Sequence, residues 1–468
     1  MVASEAVPFA KSGGLGDVLG ALPPALAARG DTVAVVLPRY GWIPLGGLMR
    51  AYENLPVWLG TRCWRTDIYA ATERSVPFLM VDCPELYDRE ELYGTGGTDY
   101  PDNAVRFAVL SRAALEIARW IFRPQVIHCH DWQAALVAPY MRHTLALDPT
   151  FFGMKIVLTI HNLGYQGRFG PEALPATGLD GSLYRPDALE FHGDVSFLKG
   201  GMVFADAITT VSRGYAREIQ TPEYGFGLDG LLRARAGVLT GILNGADYSH
   251  WDPETDELIA ANYSVADLSG KRECRRDLLR ECGFPEGAER PVIGMVTRLA
   301  AQKGLDLVEE TAEDLVREDL YLVVLGSGEP HYEERLQRLA AEHPDNVWVR
   351  IAYDNALAHK IEAGADMFLM PSHYEPCGLN QIYSLRYGTV PIVRATGGLD
   401  DTIDETTGFK FDDYTAGALL GAVRKALAAY RDKAGWRAMM VRGMGKDYSW
   451  AASAREYSEL YRRVAGGA

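Results

Sequence analysis

The sequence predicts an α/β protein with two Rossmann-like domains, each built on a doubly wound parallel sheet. Two observations predict this fold: short β-branched runs alternate with helical segments, and the alternation restarts after a turn-rich stretch at 241–253. Strands are expected at 32–38, 76–82, 124–131, 155–161 and 206–212, then at 291–298, 320–328, 346–353, 365–372 and 390–396. Helices are expected at 104–122, 131–143, 415–431 and 450–464. We therefore expect one domain over 1–243, with 448–468 packing back on it, and another over 244–447.

The composition is that of an ordinary soluble protein and excludes several classes of partner. With 47 basic against 62 acidic residues the net charge is −15, which opposes any general affinity for nucleic acid or an acidic membrane surface. No stretch approaches the roughly 18 to 20 consecutive apolar residues that span a bilayer, and no signal-peptide pattern opens the chain. The six cysteines contain no C-x-x-C pair, so we expect them to be reduced and the protein to be cytoplasmic.

A five-residue pattern, Gly-Gly-Leu-x-Asp, occurs at 13–17 and again at 397–401. Each copy follows a predicted strand and precedes a predicted helix, where backbone N–H groups can approach an anion. Two such loops could bind one phosphorylated ligand, although glycine is also common at any strand–helix junction. The first copy lacks the G-x-G-x-x-G spacing of a dinucleotide-binding loop, and the chain contains no Walker phosphate loop. The hypothesis is phosphate binding without a standard nucleotide signature.

Two loops of the second half carry charged residues suited to a sugar phosphate. Arg298 and Lys303 could both reach one diphosphate, although basic residues in such loops are usually solvated. Glu375 precedes a helix expected to begin at Gly378, and its carboxylate could accept hydrogen bonds from sugar hydroxyls. The alternative is that Glu375 only caps this helix.

Nine ordered segments of the chain resemble those of bacterial glycogen synthases and plant starch synthases, from the first residues to about residue 450. They are SEAVPFAKSGGLGDV, YPDNAVRF, HCHDWQAAL, TIHNLGYQG, TVSRGYAREI, GILNGADYSHWDP, RLAAQKG, PSHYEPCGLNQIYSLRYGTVPIV and TGGLDDT. Those enzymes are retaining glucosyltransferases of the GT-B type, whose two Rossmann-like domains face a deep cleft. The resemblance implies transfer of glucose from ADP-glucose to the non-reducing end of an α-1,4-glucan. It implies no metal, no pyridoxal phosphate, and no nucleic-acid or membrane partner.

The resemblance also implies the site residues. Lys11 and the amides of its loop would approach the diphosphate and sugar, while Arg298 and Lys303 would neutralise the leaving diphosphate. Glu375 would lie by the sugar hydroxyls and His161 beside the anomeric carbon, although His161 alone could be a buried structural histidine. The implied catalytic residues are His161, Arg298, Lys303, Glu375, Lys11 and Asp131. The implied substrate-binding residues are Gly13, Gly14, Asp17, Asn162, Asn244, Tyr353 (stacked on adenine), Cys377, Gly378, Leu379, Thr396, Gly397 and Gly398.

Retention of configuration is expected to follow a front-face mechanism. The position matched beside the anomeric carbon is His161 and not the carboxylate nucleophile of a retaining glycosidase, so the departing phosphate would itself accept the acceptor's proton. Two alternatives stay open: the same fold using UDP-glucose or another nucleotide sugar, and an inactive α-glucan-binding protein. The first strand, of about four residues, is shorter than is usual for the family. The sequence does not indicate an oligomeric state.

Overall fold

The computed structural model describes residues 1–466, and the chain divides into two compact units. The first unit contains Met1–Val211, Ala216–Gly245 and the chain from Trp450 on, and the second contains Ser212–Tyr215 and Ala246–Ser449. The crossings between the units were predicted after residues 243 and 447, and the units change after Gly245 and Ser449. Among residues 1–466, no helix is both long enough and apolar enough to cross a membrane.

The first unit is built on a mixed sheet. Its sheet strands are Met49–Leu59, Arg62–Glu73, Val76–Asp82 and Val35–Pro38, in that spatial order, and Val126–His130, Lys155–Ile160, Ala207–Thr210 and Leu239–Gly241. Val2 joins the two sets, because it forms parallel bridges to both Val36 and Cys129. Its longer helices are Gly14–Ala27, Asn103–Trp120, Phe197–Phe204 and Trp450–Ala465.

Shorter elements connect these strands and helices. The short helices are Pro84–Tyr87, Asp131–Ala134, Val137–Pro139, Ala173–Ala176 and Asp229–Ala234, with helical turns at Pro149–Phe151, Gly181–Leu183 and Ala236–Val238. The helix Arg213–Glu218 begins in the segment assigned to the second unit and ends in the first. The small strands are Gly94–Thr95, Thr98–Asp99, Arg168–Phe169, Glu190–Phe191 and Asp194–Ser196. The helix expected at 131–143 is divided, ending in a π-helical turn at Tyr140–Thr144. Pro139 lacks the N–H that a continuous helix would need there.

The sheet of the second unit is entirely parallel. Its strand order is Val347–Ile351, Tyr321–Gly326, Val292–Val296, Met367–Met370, Val390–Arg394 and Phe409–Phe411. Its helices are Ser269–Glu281, Leu305–Arg317, Pro330–Glu342, Asn355–Gly364, Asn380–Arg386, Gly397–Thr402, Ala416–Tyr430 and Lys433–Met444, with a helical turn at Ala301–Lys303. Consecutive strand residues belong to different hydrophobic clusters, Ile293 to one and Val292 to the other. Helices therefore cover both faces of this sheet, as the predicted doubly wound fold requires.

Candidate functional site

Three of the residues predicted to bind the nucleotide sugar follow strands that end at the same edge of the second unit's sheet. Arg298, Glu375 and Gly397 follow the three neighbouring parallel strands that begin at Val292, Met367 and Val390. Ligands of parallel α/β sheets bind beyond the carboxyl ends of the strands, which is where these loops lie. The guanidinium of Arg298 donates to Gln302 Oε1 at 3.1 Å, and the residue is exposed.

A nearly buried ion pair joins two of the predicted residues. The ammonium of Lys303 lies 2.6 Å from Glu375 Oε2, and their side chains are 21 % and 7 % exposed. The same carboxylate oxygen accepts a hydrogen bond from the Ser372 hydroxyl at 3.1 Å. The helix Asn380–Arg386 has no side-chain cap at Leu379 and begins after the expected Gly378. Glu375 therefore orients Lys303 and does not cap the helix.

The glycines of the second Gly-Gly-Leu loop have structural explanations. Gly397 has φ +47°, a conformation that side chains disfavour, and it follows the buried Thr396. A Cβ atom on Gly398 would lie 2.0 Å from the carbonyl oxygen of the buried Cys377. This loop therefore packs directly on the segment that carries Glu375, and the Gly398 N–H donates to the Glu375 carbonyl at 3.0 Å.

Tyr353 is 88 % exposed, two residues beyond the strand Val347–Ile351. An exposed ring at the carboxyl edge of the sheet does not pack in the core, so its face can stack on a planar base. The prediction that it contacts adenine rests on this exposure and on the family resemblance.

The first Gly-Gly-Leu loop differs from the second, because packing does not require its glycines. A Cβ atom on Gly13 or Gly14 would meet no heavy atom within 4 Å. Beside them, the ammonium of Lys11 lies 2.8 Å from Asp17 Oδ1, with both side chains more than two-fifths exposed. The loop thus leaves open space next to a basic side chain, as an approaching ligand would need.

A buried carboxylate that the sequence analysis missed holds this loop. Glu5 is 3 % exposed and accepts hydrogen bonds from the Ser12 N–H at 2.5 Å, the Ser12 hydroxyl at 2.8 Å and the Gly13 N–H at 3.2 Å. The Tyr93 hydroxyl also donates to it. The Gly13 N–H is therefore engaged by the protein, so the predicted diphosphate contact of this amide would have to displace Glu5.

Asp131, His161 and Asn162 lie together at the ends of two adjacent strands. Asp131 Oδ1 accepts the His161 N–H at 2.7 Å, and its backbone has φ +56°, a strained value that tends to occur at functional sites. Burial raises the pKa of Asp131 to about 7, against the lowering effect of the His161 and Asn162 N–H groups. The Asn162 side chain turns back to accept the Gly164 N–H at 3.0 Å.

His161 is paired with a histidine that the sequence analysis did not single out. His130 Nδ1 lies 3.0 Å from His161 Nε2, and the two rings stack with centroids 5.3 Å apart. Burial lowers the pKa of His161 to about 3 and holds that of His130 well below its usual range. Both rings are therefore neutral, and His161 is a hydrogen-bonding group rather than a cation.

Asn244 is 8 % exposed, and its Oδ1 atom has no hydrogen-bond partner within residues 1–466. A buried amide oxygen without a donor is uncommon and suits a ligand hydroxyl. In the described chain, one group of metal-type donors has ligand atoms within 4.8 Å of one another: Glu313, Glu342 and His343. None of the predicted site residues belongs to this largely exposed group.

Two family models match the chain in the order of its two units. The starch synthase catalytic domain matches residues 1–234, and the glycosyl transferases group 1 domain matches residues 283–438. The glycogen synthase of Koribacter versatilis is 52 % identical over 472 residues, covering 99 % of this chain and 97 % of the relative. The chain belongs to the glycogen and starch synthase family. Glycogen synthase 2 of Geobacter metallireducens is 46 % identical and covers 99 % of this chain and 98 % of the relative.

Solved structures agree with the family assignment. The catalytic domain of starch synthase IV from Arabidopsis thaliana, bound to ADP and acarbose, matches with a TM-score of 0.87 and 33 % identity over 99 % of this chain and 98 % of that one. Sucrose-phosphate synthase from Thermosynechococcus elongatus, at 19 % identity and a TM-score of 0.58 over 99 % and 97 % of the two chains, shows the fold alone. The predictions of a GT-B fold and of a glycosyltransferase are confirmed.

Proposed function

We propose that this glycogen synthase family member transfers glucose from ADP-glucose to the non-reducing end of an α-1,4-glucan with retention of configuration. It acts in the cytoplasm without metal or pyridoxal phosphate, and with no nucleic-acid or membrane partner. Identity near 50 % over whole chains to glycogen synthases supports the reaction.

The Lys303–Glu375 pair carries the proposal. Breaking a glycosyl phosphate bond develops negative charge on the leaving diphosphate, and a fixed cation there stabilises the transition state. Lys303 is fixed by a carboxylate 2.6 Å away, so little reorganisation is needed when the charge develops. Arg298 precedes the turn Ala301–Lys303, donates to Gln302 within it, and adds a second cation at the carboxyl edge of the sheet. The same carboxylate, Glu375, is left to accept hydrogen bonds from sugar hydroxyls.

The first unit supplies neutral hydrogen-bonding groups. His161 is uncharged because of burial, and Asp131 Oδ1 is engaged by its N–H group. These groups favour a front-face displacement, in which the bond from the anomeric carbon to the phosphate oxygen breaks as the bond to the acceptor oxygen forms. The departing phosphate oxygen then takes the proton of the acceptor hydroxyl.

The test is incorporation of labelled glucose into glycogen from ADP-glucose and, in parallel, from UDP-glucose. We expect activity with ADP-glucose that falls to background in Glu375→Ala and persists in Glu281→Ala, an exposed carboxylate that pairs with Lys360 in the same unit. Preference for UDP-glucose would overturn the donor assignment, and no transfer from either donor would overturn the function.

Tyr353 tests the donor assignment separately. If its ring stacks on adenine, Tyr353→Ala raises the KM for ADP-glucose by about tenfold and Tyr353→Phe restores it, because stacking on a base contributes about 1–3 kcal/mol. Tyr52→Ala, which removes a partly exposed ring of the first unit, is the matched control. An unchanged donor KM in Tyr353→Ala would remove this residue from the site.

A further inference from the structure

A groove in the first unit opens beside the Lys11 loop. Its volume is about 580 Å³, within the range of small-molecule sites, and its lining includes Lys11, Trp42, Glu90, Glu91, Tyr93 and Asp99. The predicted site residues account for only one of these, Lys11. The groove is therefore a feature that the proposed transfer reaction does not yet explain.

Trp42 forms a flat platform in this groove. One face of its ring stacks on the buried Tyr40, with centroids 4.8 Å apart and planes within 6°. Its Nε1–H donates to the Phe9 carbonyl at 3.3 Å, which fixes the ring in its own plane. The side chain is still 44 % exposed. A large aromatic side chain that is held rigidly with one face exposed loses little conformational entropy when a ligand stacks on it.

The polar groups around the platform are three carboxylates, together with the Lys11 ammonium and the hydroxyls of Ser12, Tyr93 and Thr98. Glu90, Glu91 and Asp99 are exposed, and in the described part of the chain none of them lies within ion-pair distance of a cation. Asp99 stands on a tight hairpin, Gly94–Thr95 paired with Thr98–Asp99. Hydroxyl groups both donate and accept hydrogen bonds, so a neutral ligand rich in hydroxyls can donate to the carboxylates and accept from Lys11.

Position relates the groove to the proposed function. Tyr93 lines the groove, and its hydroxyl donates to Glu5, which holds the Ser12–Gly13 turn. A ligand on Trp42 therefore lies along the loop that carries Lys11. We infer that this groove is a subsite for the acceptor glucan, with Trp42 stacking on the apolar face of a glucose ring and the carboxylates binding its hydroxyls. The inference rests on the proposed function for the nature of the ligand.

The test compares Trp42→Ala, Trp42→Phe and Trp120→Ala, the last removing a ring that is 61 % exposed elsewhere in the same unit. Trp42→Ala should raise the KM for maltoheptaose about tenfold while the KM for ADP-glucose stays within twofold, since one stacked ring is lost. Trp42→Phe should restore most of the affinity, and Trp120→Ala should behave as the wild type. An unchanged maltoheptaose KM in Trp42→Ala, or an equal rise for donor and acceptor, would overturn the subsite.

Direct binding separates this inference from the proposed function. Titration of the protein alone with maltoheptaose should change the tryptophan fluorescence, and this change should be lost in Trp42→Ala and kept in Trp120→Ala. If transfer from ADP-glucose and UDP-glucose fails but this titration succeeds, the reaction is wrong and the glucan site stands. If transfer succeeds and the fluorescence response is the same in Trp42→Ala, the subsite is wrong and the reaction stands.

Discussion

His130 Nδ1 lies 3.0 Å from His161 Nε2, so two neutral rings share one hydrogen bond and only one of the facing nitrogens carries a proton. The other nitrogen of His130, Nε2, is buried and has no partner among residues 1–466. A proton there would leave an unpaired buried N–H, which costs about 1–3 kcal/mol. The geometry therefore places the proton on His130 Nδ1, donated to His161, and leaves His161 protonated on Nδ1. His130 is a positioning residue that fixes the tautomer of His161.

We predict that His130→Leu lowers kcat by about 10- to 100-fold, because His161 loses the donor that sets its tautomer. His130→Asn, whose amide can donate from nearly the same position, should recover most of the rate. His143→Asn is the control, because His143 is an exposed histidine elsewhere in the first unit. Nitrogen NMR of labelled histidine should show the Nδ1–H form of His161 in the wild type. An Nε2–H form would contradict the assignment.

Asp131 should make stability depend on pH between about 4 and 7. Its pKa is raised to about 7 by burial, so between these values the folded chain holds a proton that the unfolded chain has released. The contribution of this proton to the free energy of unfolding is therefore present at low pH and is lost as the pH rises through 7. The Asp131→Asn variant has no titratable group at this position and so lacks this dependence of stability on pH. We expect the free energy of unfolding of the wild type, relative to the variant, to be larger at pH 5 than at pH 8 by about 2 kcal/mol. Urea unfolding at both pH values measures it, and equal differences would refute the raised pKa.

The strands that are short, apolar and buried were predicted from the sequence. Their ends then fixed the places of the loops that follow them. The sequence did not predict the antiparallel pair Met49–Leu59 and Arg62–Glu73, because polar residues alternate with buried ones there and no continuous apolar run marks either strand. Glu5 was missed for a different reason. Its role depends partly on Tyr93, which is distant in sequence, and no local spacing reveals such a partner. His130 stands in a quoted motif, but only the fold shows that it reaches His161.

Lys303→Ala should slow turnover by about 30- to 1,000-fold, the effect of losing about 2–4 kcal/mol of transition-state stabilisation. The variant also leaves the nearly buried Glu375 without its cation, so substrate binding should weaken as well. Steady-state kinetics with ADP-glucose measures both effects, the first in kcat and the second in KM. Lys360→Ala is the matched control, because Lys360 pairs with Glu281 at 3.1 Å outside the predicted site. Near-normal kcat in Lys303→Ala would remove Lys303 from the catalytic set.

Alkylation of the native protein should leave activity intact. Cys377, in the predicted sugar site, is buried, and Cys63 is the one cysteine of the six that is not. Burial also raises the pKa of Cys83, Cys129 and Cys282 to about 12, so their thiolates are scarce at neutral pH. Iodoacetamide followed by peptide mass spectrometry should find Cys63 modified first while glucose transfer continues. Inactivation that follows the labelling of Cys377 would show that this thiol is accessible.

Glu5 should control the order of the Lys11 loop. Glu5→Ala removes the buried acceptor that holds the N–H groups of Ser12 and Gly13, two residues of an otherwise exposed loop. Glu5→Gln can keep its oxygen toward these two amides and turn its NH₂ toward the hydroxyls of Ser12 and Tyr93, which can accept. Hydrogen exchange should therefore show faster exchange of the 12–14 amides in Glu5→Ala than in Glu5→Gln, with kcat falling in the same order. If the loop amides of Glu5→Ala stayed protected, another group would have to hold the turn, and the link between Glu5 and Lys11 would be lost.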